Sequence, residues 1–421
     1  MKRAVITGLG LITSIGNDYA SVLKSLKETR SGIELFDEFS GENIPVKLAG
    51  TIKEFSFPSA YFEDWEFPKK YALSREHLRP MAPNTLYAYC AMQQAIEDAK
   101  LTPDLFSNHA KTSLMCASGG SMWMAYENLH TMETQGVQRT QPMGIINSIP
   151  GSLYINLGAI FKIQGGTLGF SSACSSSAHA MGAAYDLITQ GKQERVFVAG
   201  AEDCNRFSIL PFAAVRALSP QKDPKNAPRA FDKNRDGFVG TGGGCVLVVE
   251  ELEIARARGA KIYAEMIGWG QTSDGFNVLA PETNGEGLAR CIQLALEHAK
   301  TKPKEVDYIN AHATSTSVGD TAEIRAIKKA FPAKHRPLMS STKSLTGHGL
   351  SLAGAMEAAF CCMNIKEAFV PVSANITELD PECDGVPIIE RPISHQPRVV
   401  MSNSSGFGGT NVSIVFRKFE G

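Results

Sequence analysis

The sequence predicts an α/β protein built from two similar halves. Its 421 residues exceed what one hydrophobic core usually holds, so two core units or one large duplicated unit are expected. Strand-like and helix-like patterns alternate along the chain, which indicates parallel or mixed sheets. A β-rich run ending in Gly-x-Gly at residues 5–10 recurs at residues 261–270, so the second half begins as the first does.

In the first half, short apolar runs predict strands, and apolar residues at helical spacing predict helices. Prolines break up the stretch from residue 36 to residue 83, which we predict to be loops over the surface. The predicted elements, in order, are a strand at 4–7, a glycine turn at 8–10, helices at 19–28 and 85–99, a strand at 112–117, an extended segment at 164–170, a helix at 175–187, and strands at 194–200 and 245–250.

The second half repeats this alternation. Strands are predicted at 261–270 and 306–310, and helices at 286–298 and 352–363. Two segments, residues 310–320 and 341–349, are polar and glycine-rich where a strand should end. Open α/β sheets place their functional sites in such loops at the carboxyl ends of strands.

Composition narrows the class of protein. The hydrophobic share of 43% and the charged share of 20% are typical of a globular protein, and a net charge of −1 excludes a globally basic nucleic-acid binder. Nine cysteines without CxxC spacing favour a reducing cytoplasm over a disulfide framework or a zinc ribbon. No apolar run reaches the roughly 18 residues of a membrane span, and residues 1–16 lack the cleavage site of a secretory signal.

Two apparent cofactor motifs depart from their patterns. The third glycine of a dinucleotide-binding GxGxxG would fall at Thr13, and no acidic ribose ligand follows. The run from Asp232 to Gly237 fits the first half of a calcium loop, but its twelfth position is Gly243 instead of glutamate. We interpret the first motif as a structural turn and the second as an Asp/Asn/Gly turn.

The sequence is organised around Cys174, which lies where an extended segment gives way to a helix. Unpaired N–H groups and the helix dipole at such a position stabilise a thiolate, the nucleophilic form of cysteine. The alternative is that Cys174 is a small buried core residue, as free cysteines often are.

Each polar segment of the second half contributes one histidine, His312 and His348. His179 lies five residues beyond Cys174 on the same helix, does not face it, and is predicted to be structural. Three chemistries remain open for Cys174 with the two histidines: a protease-like Cys–His pair, a Cys-His₂ metal site, or acyl transfer in which both histidines donate hydrogen bonds to an enolate.

Four ordered motifs carry a resemblance to a known family. They are Cys174 in SACSSSAH, His312 in AHATSTSVGD, Lys343 and His348 in TKSLTGH, and SGFGGTN at residues 405–411. Together they resemble the β-ketoacyl-[acyl carrier protein] synthases, with the closer match to the elongating type I and II enzymes. The resemblance implies a thiolase-like fold, with βαβαβαββ halves at residues 1–255 and 256–421 in a five-layered αβαβα arrangement.

The resemblance also implies a reaction. Cys174 would take an acyl chain from acyl carrier protein, with its own N–H and that of Phe407 as the oxyanion hole. His312 and His348 would bind the malonyl thioester carbonyl, promote loss of CO₂ and stabilise the enolate. The product would be a 3-oxoacyl-[acyl carrier protein] in fatty acid elongation. No cofactor would be bound, because the 4′-phosphopantetheine arm arrives on the carrier protein.

Further roles follow by resemblance alone. Lys343 would form a buried charged network with Asp320 and Glu357, and Phe407 would be a gate residue. Substrate-binding positions would be Thr314, Thr316, Gly120, Phe212, Phe238, Gly406 and Gly408. The surface for the acidic carrier protein would include Lys69, Lys70 and Arg79, and a structural cation would be held by Asn310, Glu357, Ser402 and Asn403.

Departures from the family pattern leave the substrate open. Ala313 replaces the glycine usual after the first histidine, residues 349–354 replace the commoner Gly-Ala-Ala-Gly ending, and residues 61–80 and 121–145 match poorly. A specialised polyene or polyketide ketosynthase in a heterodimer is the alternative to a homodimeric elongating enzyme. A non-catalytic partner subunit is disfavoured because Cys174, His312 and His348 are all present.

Overall fold

A computed structural model describes residues 2–421 and shows a mixed α/β protein. Ten of its strands form one large sheet, and β2 and β3 form a separate hairpin. The strands are β1 (Ala4–Ile12), β2 (Ile33–Leu35), β3 (Leu48–Gly50), β4 (Thr112–Ala117), β5 (Thr167–Phe170), β6 (Arg195–Glu202), β7 (Gly243–Glu251), β8 (Ala264–Ser273), β9 (Tyr308–Asn310), β10 (Leu338–Ser340), β11 (Val399–Gly406) and β12 (Thr410–Arg417).

The helices range from single turns to four turns. They are α1 (Tyr19–Glu28), α2 (Arg75–Leu78), α3 (Pro83–Asp98), α4 (Pro103–Phe106), α5 (Met122–Gln135), α6 (Gly144–Ser148), α7 (Ser152–Ile160), α8 (Ser176–Thr189), α9 (Arg206–Ile209), α10 (Pro211–Ala214), α11 (Leu252–Ala257), α12 (Glu286–His298), α13 (Ser317–Ala330), α14 (Lys343–Thr346) and α15 (Ala353–Glu367). No helix within residues 2–421 is both long enough and apolar enough to span a membrane.

The sheet is a duplication joined edge to edge. Its strand order, β10-β9-β11-β12-β8-β1-β7-β6-β4-β5, reads as two sets of five with the same internal arrangement. In each set three strands are parallel and the next two are antiparallel. The sets meet where Ala4–Ile6 of β1 pair with Ala264–Met266 of β8. The predicted duplicated α/β fold is confirmed.

The helices form three layers, one between the two sets of strands and one on the outer face of each set. Helices α8 and α15 pack between the two halves, in one hydrophobic cluster with strands from both. Helices α3 and α7 cover the outer face of the first half, and α12 and α13 cover that of the second. The result is the αβαβα order that was predicted. A Cβ on Gly354 of α15 would lie 2.6 Å from the Ala178 nitrogen, so glycine there lets α15 approach α8 closely.

The predicted glycine turn at residues 8–10 is wrong. Strand β1 runs through both glycines to Ile12. A Cβ on Gly10 would lie 1.7 Å from the Ala91 oxygen, so the glycine instead lets helix α3 rest directly on the strand. The turn at Asp232 was predicted correctly: its carboxylate accepts from the backbone nitrogens of Asn234, Thr377 and Glu378.

Candidate active site

Cys174 lies in a tight turn between β5 and the first residue of α8, as the sequence predicts. Ala173 has a φ of +49°, a left-handed conformation that costs a residue with a Cβ some strain. Ser176 holds this turn, because its Oγ accepts from the Ser172 nitrogen at 2.9 Å and donates to the Ala173 oxygen at 2.6 Å. The first half of the molecule therefore presents the thiol on a constrained backbone.

The second half supplies both histidines from neighbouring parallel strands. His312 follows β9 by two residues, and His348 follows the short helix α14 that comes after β10. His348 Nε2 lies 3.0 Å from Cys174 Sγ. The two imidazole rings meet edge to face, with centroids 5.4 Å apart. Cys174, His312 and His348 thus converge across the interface between the two halves.

Burial decides the protonation states of this group. It lowers the pKa of both His312 and His348 well below the usual value, and the Lys343 ammonium lowers it further, so both imidazoles are neutral. Burial raises the pKa of the Cys174 thiol to about 12, against the opposing effect of Lys343. The expectation that the helix terminus makes Cys174 a thiolate is corrected: the resting group is a thiol in contact with a neutral imidazole.

A buried ion pair lies behind the histidines. Lys343 and Glu357, both fully buried, form a direct ion pair. Burial raises the pKa of Glu357 to about 7, and the lysine opposes that rise. This part of the predicted charged network is present.

Asp320 does not belong to that network, so its predicted place is wrong. Its carboxylate lies 3.6 Å from the Arg235 guanidinium and accepts from the backbone nitrogens of Phe231 and Ser315. Asp320 is in the first turn of α13, and its hydrogen bond with the Ser315 nitrogen holds the loop that precedes this helix. Glu323, which the sequence reasoning missed, is one turn further along and faces the site.

Glu323 orients the first histidine. Its two carboxylate oxygens accept from the His312 nitrogen at 3.0 Å and the Ala313 nitrogen at 2.7 Å, and Asn403 Nδ2 donates to it at 3.1 Å. The sequence did contain a signal, because Asp320, Glu323, Ile324 and Ile327 share helical spacing and are all buried in α13.

A cavity of about 310 Å³ opens onto these groups. Four aromatic rings in its wall contact one another in sequence. The ring centroids of Phe407 and Phe212 are 5.9 Å apart, those of Phe212 and Phe238 are 5.5 Å apart, and those of Phe238 and His348 are 5.2 Å apart. Predicted site residues in the lining are Cys174, His312, His348, Thr314, Thr316, Phe212, Phe238, Gly406 and Phe407.

Gly406 lies close to the Cys174 turn. A Cβ on Gly406 would lie 3.0 Å from the Cys174 nitrogen and 2.8 Å from the Ser172 oxygen. Only glycine therefore allows the segment that carries Phe407 to pack so close to the Cys174 turn.

Other predicted site residues lie outside the cavity lining. Gly120 has a φ of +81°, and a Cβ on it would lie 2.8 Å from the Ser148 oxygen, so it makes a turn that favours glycine. Its predicted role in substrate binding stays a prediction. Gly408 lies in the turn after Phe407, where its nitrogen donates to the Val278 oxygen. The residues predicted to contact the carrier protein, Lys69, Lys70 and Arg79, are all exposed. Lys70 also borders a separate polar groove.

The four residues of the predicted cation site are all buried. Asn310 and Ser402 are paired neighbours on β9 and β11. Ser402 Oγ and Glu357 Oε2 have no hydrogen-bond partner among the described residues, while Asn403 is already bonded to Glu323 and Ser413. Two partnerless oxygens fit a cation, which stays a prediction.

Comparison with known proteins agrees with this geometry. Residues 1–255 match the model of the β-ketoacyl synthase N-terminal domain, and residues 263–377 match that of its C-terminal domain. The chain is 43% identical to 3-oxoacyl-[acyl-carrier-protein] synthase 1 of Haemophilus influenzae over all of both chains. A β-ketoacyl synthase from Burkholderia phymatum superposes with a TM-score of 0.91 at 32% identity, again over all of both chains.

A second solved structure is a complex. It is described as a type II PKS acyl-carrier protein with its ketosynthase bound to the hexaketide, and it matches with a TM-score of 0.87 at 25% identity over both full lengths. The fold and these comparisons together define an acyltransferase-type condensing enzyme. The chain belongs to the β-ketoacyl synthase family, as its four motifs predict.

Proposed function

We propose that this chain joins an acyl group on Cys174 to the malonyl group of malonyl-[acyl carrier protein], with loss of CO₂, giving a 3-oxoacyl-[acyl carrier protein] in fatty acid elongation. The observation that carries the proposal is the buried group of one thiol and two neutral imidazoles, with Nε2 of His348 3.0 Å from Sγ. The full-length relative named 3-oxoacyl-[acyl-carrier-protein] synthase 1 supports this assignment.

The first half-reaction loads the acyl chain. Because the pKa of the thiol is raised to about 12, its attack on the carrier thioester needs a proton acceptor, and neutral His348 Nε2 is within reach. The Sγ–acyl bond forms, the carbon–sulfur bond to the phosphopantetheine arm breaks, and the proton held by His348 passes to the departing thiol. The N–H groups of Cys174 and Phe407 would bind the oxyanion.

The second half-reaction forms the carbon–carbon bond. His312 and His348 donate hydrogen bonds to the malonyl thioester oxygen, which takes up the charge as CO₂ leaves. The resulting enolate carbon attacks the acyl carbonyl, and the Sγ–acyl bond breaks to release the Cys174 thiolate. The thiolate takes up one proton from solvent, which is the proton that the overall condensation consumes. Both imidazoles are neutral in this role because burial lowers the pKa of each histidine, and the ammonium of Lys343 lowers it further.

The cavity suits a long, mostly apolar substrate. Phe212, Phe238 and Phe407 offer apolar surface close to Cys174, while Thr314 and Thr316 provide hydroxyls in the lining where the 4′-phosphopantetheine arm would enter. The arm is supplied by acyl carrier protein, the partner that we assign to this chain. Lys69, Lys70 and Arg79 remain candidates for its docking surface.

Intact-mass measurement with a panel of acyl carrier thioesters tests the function. The wild-type chain should gain one acyl group, and Cys174→Ala should gain none. Cys174→Gln should still release CO₂ from malonyl carrier protein, because both histidines remain. Condensation by either variant would overturn the proposal, and absence of any acyl adduct on the wild-type chain would instead favour a non-catalytic subunit.

We further propose that the chain forms a homodimer in the cytoplasm. Strand β5 is the open edge of the large sheet, and its Leu168 is 55% exposed. Exposed apolar side chains on α5, Met122, Tyr126 and Leu129, add to the uncovered surface. None of the nine cysteines forms a disulfide bond, which suits a reducing compartment.

A heterodimeric polyketide ketosynthase is the second candidate. It draws support from a solved structure described as a ketosynthase/chain length factor, which is 28% identical to this chain.

A further inference from the structure

Glu202 is a buried carboxylate that the condensation steps above do not use. It ends strand β6, and its side chain is screened from solvent behind the Cys174 turn. Oε1 accepts from the Gly119 nitrogen at 2.9 Å and from the Ser351 nitrogen at 3.3 Å, and the Ser351 hydroxyl donates to the same oxygen. One carboxylate oxygen therefore joins three segments: the ends of β4 and β6 and the turn after His348.

Ser351 lies three residues beyond His348, in the single turn Leu350–Leu352. The backbone of His348 is held on its other side, where its nitrogen donates to the Val239 oxygen at 2.7 Å and its oxygen accepts from the Thr241 nitrogen at 3.0 Å. Leu350, between the two anchors, has a φ of +53°. A turn that includes a left-handed residue with a Cβ needs its far end fixed, and Glu202 supplies that fixed point.

We propose that Glu202 is a positioning residue of the condensing site, which holds His348 against Cys174 by tethering Ser351. The proposal builds on the function above and adds a residue that touches neither substrate nor thiol. Glu202 is absent from the cavity lining, so its loss should move the histidine without altering the substrate's own contacts.

Three variants test the tether. Glu202→Ala removes the acceptor and Ser351→Ala removes the hydroxyl donor, whereas Glu202→Gln keeps Oε1 as an acceptor. Misplacement of a catalytic group by about 1 Å costs on the order of 100-fold in rate. We expect kcat for condensation to fall about 10- to 100-fold in both alanine variants, KM for the acyl carrier thioester to stay within about twofold, and Glu202→Gln to recover most of kcat.

A second readout does not depend on the natural substrate. Iodoacetamide alkylation of Cys174 at pH 8 should slow in Ser351→Ala, as it should in His348→Ala, because a displaced imidazole no longer donates a hydrogen bond that stabilises the reacting thiolate. Ser25→Ala is the matched control, since the buried Ser25 hydroxyl donates to the Ile15 oxygen far from this site. It should leave both kcat and the alkylation rate unchanged.

The outcomes separate the two proposals. Wild-type rates in Ser351→Ala and Glu202→Ala would overturn the tether, as would a Glu202→Gln variant that is as slow as Glu202→Ala while remaining folded. If the wild-type chain does not condense but Ser351→Ala still slows alkylation, the tether stands and the proposed function fails.

Discussion

At the scale of single residues, the reactivity of Cys174 distinguishes two explanations of its protonation state: a pKa lowered by the helix terminus and a pKa raised by burial. A cysteine activated only by a helix terminus has a lowered pKa and is a thiolate at neutral pH. In this structure burial raises the pKa of the Cys174 thiol to about 12. The thiolate fraction, and with it the alkylation rate, should therefore keep climbing in the alkaline range.

We expect the rate of Cys174 alkylation by iodoacetamide to rise roughly tenfold for each pH unit from about pH 8 to about pH 10, because the thiolate is the reacting form. Intact mass measured at timed quench points gives this rate, and Cys174→Ala corrects for the other cysteines. A plateau near pH 7 would contradict the raised pKa and would favour the helix-terminus account.

The Lys343–Glu357 pair gives a second prediction for single residues. Lys343→Met leaves a carboxyl buried without its partner, which costs about 3–5 kcal/mol when it must be charged. Without the lysine the folded-state pKa of Glu357 rises further above its value in the unfolded chain. The destabilisation should then grow as pH rises from about 6 to about 8, and urea unfolding at both values measures it.

Lys343→Met combined with Glu357→Gln is the control for that prediction. It removes the buried acid, so the midpoint should recover and lose this pH dependence. If Lys343→Met alone unfolds at the same urea concentration at both pH values, Glu357 does not carry the effect.

The sequence predicts the central site residues better than it predicts the carboxylates that hold the surrounding backbone in place. Cys174, His312 and His348 stand out because each lies in a polar segment at the end of a predicted strand or start of a helix. Glu202 and Glu323 act through backbone nitrogens on other segments. Helical spacing indicates that Glu323 is buried, but nothing local in the sequence shows which nitrogens either carboxylate binds. Asp320 was misplaced for the same reason, since its partner Arg235 lies 85 positions away in the chain.

At the scale of elements, the glycines of β1 allow that strand to contact helix α3 closely. A Cβ on Gly10 would lie 1.7 Å from the Ala91 oxygen in α3. Gly10→Ala forces α3 away from the sheet, and overpacking of this kind typically costs about 1–3 kcal/mol or more. Chemical denaturation should show this loss.

Gly158→Ala is the matched control for Gly10→Ala. Gly158 lies within helix α7, and its added Cβ would come no closer than 3.7 Å to Thr167. Because alanine is favoured over glycine inside a helix, this variant should be stabilised by about 0.5–1 kcal/mol. Equal stability of the two variants would mean that α3 yields easily to the new methyl group.

Elements with clear periodicity were predicted closely. The bounds of α1, β4 and α12 coincide with the predicted residues 19–28, 112–117 and 286–298. Strand β11 was missed because its second half, from Ser402 to Gly406, lacks the composition of a strand. Its pairing with β9 and β12 supplies what local propensity does not. Strand β12 was also missed, although its Val, Ile and Phe residues have strand composition.

At the scale of the whole molecule, the duplication explains where the site lies. The first half contributes Cys174 from the turn before α8, and the second contributes His312 and His348 from the segments that follow β9 and β10. Helices α8 and α15 lock the halves together in one core. Neither half alone contains all three groups, so the activity belongs to their fixed arrangement.

The open edge of the sheet gives the last prediction. Among residues 2–421, strand β5 pairs only with β4, so its other side offers unpaired backbone groups beside Leu168. An exposed apolar edge strand readily adds another strand, and a charge there blocks such pairing. Leu168→Lys should shift sedimentation from dimer to monomer. Leu294→Lys, at a 46% exposed leucine on α12, should remain dimeric. A wild-type chain that sediments as a monomer, or a Leu168→Lys dimer as tight as wild type, would show that the copies do not join through β5.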